Sequence, residues 1–173
     1  DMGYGDYGGV VGKTDYAGYL NLKKTLPATI FAATNEGKVH VLNAAKSDTE
    51  ITVGGNAIPA GAEFASFMPK GAMTGQIALA DPGYRFGYVL DGPVVDHDVY
   101  VSNSSTVPDG KGSSWHQVVF GAGGRAGKFM YALQSPLGSG NRIPSKNDFL
   151  WELSSSTTGY EAMGNISNNP TAG

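Results

Sequence analysis

Two stretches of this 173-residue chain carry the same pattern: Ile30-Phe-Ala-Ala-Thr-Asn-Glu-Gly-Lys-Val-His-Val-Leu-Asn-Ala-Ala-Lys46 and Val118-Val-Phe-Gly-Ala-Gly-Gly-Arg-Ala-Gly-Lys-Phe-Met-Tyr-Ala-Leu-Gln134. Each is an apolar run, a glycine-containing turn and a second run whose side chains alternate with a period near two. That is the pattern of a β-hairpin. His40-Val41-Leu42 aligns on Tyr131-Ala132-Leu133. A hairpin written twice points to an architecture built by copying one sheet unit, of which the β-propeller is the leading example. The expected fold is therefore all-β, with propeller-type blades forming a partial or modified propeller.

The rest of the chain divides around these hairpins. Residues 1–14 form a Gly- and Tyr-rich arm without a regular pattern. Asp15 to Thr25 is the one helix expected. Asp15 serves as N-cap, Tyr16, Tyr19 and Leu20 fall on one face, and Lys23 and Lys24 sit where the helix dipole favours cations. Pro27 ends it. The first hairpin spans Ala28–Thr34 and Lys38–Asn43 around Asn35-Glu36-Gly37, a turn that supplies positive φ. Residues 50–53 make a short strand before Gly54-Gly55. Ile58–Gly83 reads as a loop with one short helical turn. Strands are expected at Phe86–Leu90, Val94–Ser102, Trp115–Gly121, Lys128–Ser135 and Phe149–Leu153. Asn103–Ser114 and Pro136–Asn147 read as polar loops, and the tail from 154 to 173 as poorly ordered. The whole is one domain.

Composition narrows the function. Charged residues make up 16% of the chain, below the roughly 25% of ordinary globular proteins, while 40% is hydrophobic. With 26 glycines and 9 prolines, turns are abundant. The net charge of −3 gives no attraction for phosphate backbones, so nucleic acid is not an expected partner. Cysteine is absent, which removes disulfides and thiolate metal sites. No apolar run approaches the ~18–20 residues of a transmembrane helix. No signal peptide is visible, and a chain opening on Asp1 reads as a mature form or an excised piece.

The motifs that invite chemistry have plainer readings. Gly121-Ala-Gly-Gly-Arg-Ala-Gly127 resembles a phosphate loop, but a dinucleotide fingerprint needs a helix to follow, and Phe129–Leu133 has the pattern of a strand. In Asp96-His97-Asp98 the two carboxylates share one face of a strand and the imidazole points to the other. The three cannot converge on one ion, so an exposed polar strand is expected. His40 and His116 are expected to be hydrogen-bonded structure. Trp115 and Trp151 are expected in the core between blades. Set on a rim, they would contact a partner, as would Tyr4 and Tyr7.

In order along the chain come Tyr16–Lys24, Ala32-Ala-Thr-Asn-Glu-Gly-Lys-Val-His-Val-Leu42, Asp91-Gly92, Asp98-Val99, Trp115, Gly121-Ala-Gly-Gly-Arg through Tyr131-Ala-Leu133, and Leu150-Trp-Glu152. This succession resembles the C-terminal propeller of the type IV pilus tip-associated PilC/PilY family. Glu36 and Gln134 depart from that family's usual Asp at each position. The resemblance implies a non-enzymatic surface protein, a pilus-tip adhesin and assembly factor whose propeller docks onto minor pilins or other pilus components. It implies a place at the cell surface, on the pilus tip, outer membrane or periplasm. The family's calcium loop has no counterpart in this chain, so no cofactor is expected. Two other readings follow from the same sheets: a quinoprotein-like propeller oxidoreductase, and a filament subunit that self-associates by strand exchange.

Overall fold

The computed structural model describes residues 16–46, 50–101, 114–135 and 144–168. Helix α1 covers Tyr16–Lys23. Strands β1 (Thr29–Ala33) and β2 (Val39–Asn43) form the first hairpin, and β3 (Ile51–Val53) and β4 (Asn56–Ile58) form a small one. Strand β5 (Glu63–Phe67) and helix α2 (Lys70–Leu79) follow. Strands β6 (Val94–Val101), β7 (Ser114–Ala122), β8 (Phe129–Gln134) and β9 (Phe149–Ser154) complete the chain. The arm at 1–14, Asp15 and the loop around Pro108-Asp109-Gly110 lie outside the described residues.

The strands make two main antiparallel sheets, β1-β2-β5 and β6-β7-β8-β9, beside the separate β3-β4 pair. Both repeated hairpins are present. At the first, Gly37 takes φ 86° and its N–H reaches the Thr34 carbonyl at 2.9 Å. Among the described residues no sheet closes into a barrel. The fold is mostly β with two helices among the described residues, one more than the sequence suggested.

Alternation decides what is buried. On β2 the residues Val39, Val41 and Asn43 face inward while His40 and Leu42 do not. Strand β8 lies between β7 and β9 and is buried at nearly every position. The core joins Val39 of one sheet to Val119, Phe129, Tyr131 and Leu133 of the other, with Phe31, Phe67 and Phe149 packed around them. Burying each large apolar side chain contributes about 1.5–3 kcal/mol, so this shared layer is what holds the two sheets together.

The loop expected between Ile58 and Gly83 is replaced by strand β5, paired with β2, and then by helix α2. Its sequence, Lys-Gly-Ala-Met-Thr-Gly-Gln-Ile-Ala-Leu, is a poor helix former. The glycines that weaken it locally also let it sit close. A side chain at Gly71 would strike the Phe129 ring, and one at Gly75 would crowd Val89. Pro69 at the N-cap offers no side-chain acceptor. The cap comes from β9 instead: Glu152 accepts the Lys70 N–H at 2.7 Å and the Gly71 N–H at 2.8 Å. Replacing Glu152 by alanine is expected to cost about 1 kcal/mol, the usual size of a lost cap. A urea melt checks it, with Glu152→Gln falling in between.

Two further expectations are corrected. Phe86–Leu90 is not a strand. The Asn35 side chain holds it, donating to the Gly87 carbonyl at 3.0 Å and accepting the Val89 N–H at 2.9 Å. Successive turns hold the tail from Ser154 to Met163. Asn165 anchors it by donating to the carbonyls of Gly124 and Arg125 at 2.9 and 3.2 Å.

Candidate interaction site

Asp98 is not part of an exposed polar strand, as the sequence suggested. Its carboxylate accepts the Tyr16 hydroxyl at 2.9 Å, the Tyr19 hydroxyl at 3.0 Å and Lys23 Nζ at 2.8 Å. Only 8% of its side chain is exposed. The three donors come from one face of α1, so this carboxylate fixes the helix to β6. Burial, and then the charge on Asp98, push the Tyr19 hydroxyl above the usual phenol range. Trp115 lies against the same cluster, its ring 4.5 Å from Tyr16 and 5.4 Å from Tyr100. Asp96 shares the face but accepts from Gln117 at 2.9 Å, while His97 turns away toward Phe120, 5.9 Å between rings. Beside the cluster runs a groove of about 410 Å³ lined by Leu20, Lys24, Pro27, Asp96 and Gln117.

A second cluster ties the β1–β2 turn to β5. His40 Nδ1 lies 2.5 Å from Glu63, and Nε2 lies 2.5 Å from Glu36. The carboxylates hold opposite edges of the ring and so cannot share a metal ion with it. The Glu63 hydrogen bond, then that of Glu36, raises the His40 pKa above 6.5 against the opposing effect of burial. The hydrogen bond with His40 lowers Glu36 below 4.5. The signs give a window. The His40 contribution is complete below its unfolded value of 6.5 and is lost as pH rises through the higher folded value. The Glu36 contribution is complete above 4.5 and is lost as pH falls through its lower folded value. The thermal midpoint is therefore expected to fall as pH rises from 6 toward 8, and His40→Gln is expected to flatten that slope. A midpoint that stays level across this range in the parent protein would refute the clasp.

The third feature is an aromatic display. Phe86 is 73% exposed, Tyr88 43% and Tyr84 37%. The rings of Phe86 and Tyr88 meet edge to face at 5.3 Å. Arg125, at the tip of the β7–β8 turn, lies over the Tyr88 ring at 5.2 Å and donates to its hydroxyl at 3.0 Å. The turn itself is fixed: Gly124 takes φ 62°, and Asp91 accepts the Arg125 N–H at 2.7 Å. The Gly-Ala-Gly-Gly-Arg motif is thus a tight reversal that aims one guanidinium.

The residues singled out in the sequence fall apart in space. Tyr4 and Tyr7 lie outside the described residues. Trp115 and Trp151 are both half-buried, the latter 6.1 Å from the Phe120 ring. His116 is buried beside the Gln134 amide nitrogen at 3.3 Å. Among the described residues no group of three or more His, Asp or Glu is arranged to hold a metal. The exposed aromatics at 84–88 were missed as a site because their alternation reads as a strand. Gly83 before Tyr84, and Gly87 between Phe86 and Tyr88, were the available signal against it.

Aligned with known proteins, the chain is 24% identical over 159 residues to a type IV pilus biogenesis factor, a PilY1 homologue of Xylella fastidiosa. That alignment takes in 92% of this chain and 10% of the relative. A second match with the same description and organism is 26% identical over 147 residues, 84% of this chain and 8% of the relative. The chain is similar to PilY1 homologues over most of its length. It spans about a tenth of the length of these relatives. No protein-family model matches it, and no solved structure does.

Proposed function

We propose that this chain is a β-sheet module of a type IV pilus protein that works by binding other pilus components, minor pilins first among them, and not by catalysis. The observation that carries the reading is the similarity to a pilus biogenesis factor over 92% of the chain. The motif order from Tyr16 to Glu152 supports it. The four-stranded meander β6-β7-β8-β9 has the strand count of one propeller blade, and a second sheet packs on it through a common core. Both features suit the propeller end of such a protein. A role in pilus assembly places the module at the cell surface or in the periplasm. Within the described residues no helix is long and apolar enough to cross a membrane.

The test is co-purification from the native cell. Minor pilins are expected to come down with the tagged protein, and deletion of residues 16–168 from it is expected to abolish both their recovery and surface piliation. Normal piliation in the deletion strain, with no minor pilin recovered from the parent strain, would reject the proposal.

A further inference from the structure

We infer that the display formed by Tyr84, Arg85, Phe86, Tyr88 and Arg125 is a docking site for an acidic segment of a protein partner. The inference rests on the protein-binding reading above and names the surface through which it acts. Three aromatic side chains stand in solvent within five residues, Phe86 the most exposed at 73%. Scattered apolar exposure is ordinary, but a paired aromatic set is not. Tyrosine and arginine are enriched among the residues that dominate binding energy, and phenylalanine among interface residues generally.

The display is held before any partner arrives. Asn35 clamps the backbone on both sides of Tyr88, at Gly87 and Val89. The Tyr84 hydroxyl accepts the Gly87 N–H at 3.0 Å. Arg125 is fixed on the opposite side by Asp91, by Asn165 and by Tyr88 itself. Little loop entropy remains to be lost on binding.

Charge selects the occupant. Although the chain carries a net −3, this patch sets the Arg125 guanidinium over Tyr88, and Arg85 lies between Tyr84 and Phe86 in the chain. Arg85 and Arg125 are both exposed, and among the described residues neither forms a salt bridge. The neighbouring carboxylates each have an oxygen committed to a backbone amide, Asp81 to Gly83 and Asp91 to Arg125. A guanidinium matches a carboxylate through two parallel hydrogen bonds. The fitting occupant is a segment with Asp or Glu reaching Arg125 and an apolar side chain set against Phe86 and Tyr88.

The experiment replaces Phe86 by a photo-crosslinking phenylalanine in the native protein, in its own cells. Ile30, 52% exposed on the other sheet, is the comparison position. Position 86 is expected to yield an adduct with one protein, through a peptide containing Asp or Glu, and position 30 is not. Arg125→Glu is expected to lower the yield about tenfold or more, as loss of a dominant interface residue does. Arg125→Gln is expected to lower it less, and circular dichroism should show both variants folded. An adduct on a pilus component supports this surface and the pilus reading together. An adduct through an acidic segment of some other protein keeps the surface and removes the pilus reading. No adduct at 86, an adduct confined to glycan or lipid, or a yield unchanged by Arg125→Glu overturns the docking site, whatever co-purification shows.

Discussion

Replacing Gly92 by alanine is expected to destabilise the fold by more than about 3 kcal/mol. A Cβ at this position would run into the carbonyl of Ala122 and the backbone nitrogen of Gly124, well inside van der Waals contact. Neither obstacle is a side chain that can swing away. One ends β7 and the other lies in the β7–β8 turn, which is fixed by Gly123 N–H to the Phe129 carbonyl at 2.9 Å and by Ala126 N–H to the Gly123 carbonyl at 3.1 Å. Ala122 N–H also bonds the Pro93 carbonyl at 3.2 Å, next to the substituted residue. Relief requires separating the start of β6 from β7. Overpacking typically costs ~1–3 kcal/mol where side chains can adjust, so a clash with backbone should exceed about 3 kcal/mol. That is a large share of the ~5–15 kcal/mol that keeps a domain folded. Urea unfolding is the measurement, with Gly164→Ala as the control, because a side chain there would meet nothing within 4 Å. The control should stay within about 0.5 kcal/mol of the parent. A Gly92→Ala protein within 1 kcal/mol of the parent would show that the turn does not sit as described.

The same close approach explains why parts of this fold are legible in the sequence and others are not. The two hairpins, α1 and the strands at 94, 115, 128 and 149 rest on local signals: alternation, tyrosines at helical spacing, a turn glycine. Those signals lie within a few residues of what they specify, so they can be read from the chain alone. Helix α2 cannot. Its two glycines argue against a helix, and its cap is Glu152, some eighty residues away, while the ring that needs Gly71 to be small is Phe129. The segment at 86–90 errs in the other direction. Its alternation is that of a strand, but its backbone is satisfied by the Asn35 side chain, so no ladder forms.

The candidate sites follow the same division. That Asp96 and Asp98 share a face follows from strand geometry. That Asp98 meets two tyrosines and a lysine depends on where α1 lands, which no local pattern encodes. Glu36 lies four residues from His40, but Glu63 reaches it only through the pairing of β2 with β5. Arg125 is visible as the end of a glycine run. Its target, Tyr88, becomes visible only when Asp91 and Gly92 bring the two segments together.

Asp98→Ala is expected to release α1 from the sheet at a cost of about 2–4 kcal/mol, the range for removing one member of a buried charged network. The substitution takes away the acceptor shared by Tyr16, Tyr19 and Lys23. The two tyrosines are 3% and 7% exposed, so water cannot replace it without the helix moving. Lys23 is 27% exposed and can turn to solvent, which keeps the expected cost below that of a wholly buried pair. Asp98→Asn retains one acceptor oxygen and should lose less. Trp115 reports the event, since its ring lies 4.5 Å from Tyr16 and 6.3 Å from Tyr19. Its emission should shift to the red in Asp98→Ala under conditions where the far-ultraviolet signature of the sheets persists. A double-mutant cycle with Tyr19→Phe separates the network from mere packing. Coupling of about 0.5–3 kcal/mol is expected if the hydroxyl depends on the carboxylate. Strict additivity, with Trp115 emission unchanged, would mean that α1 is held by its aromatic face alone and that Asp98 has no part in anchoring it.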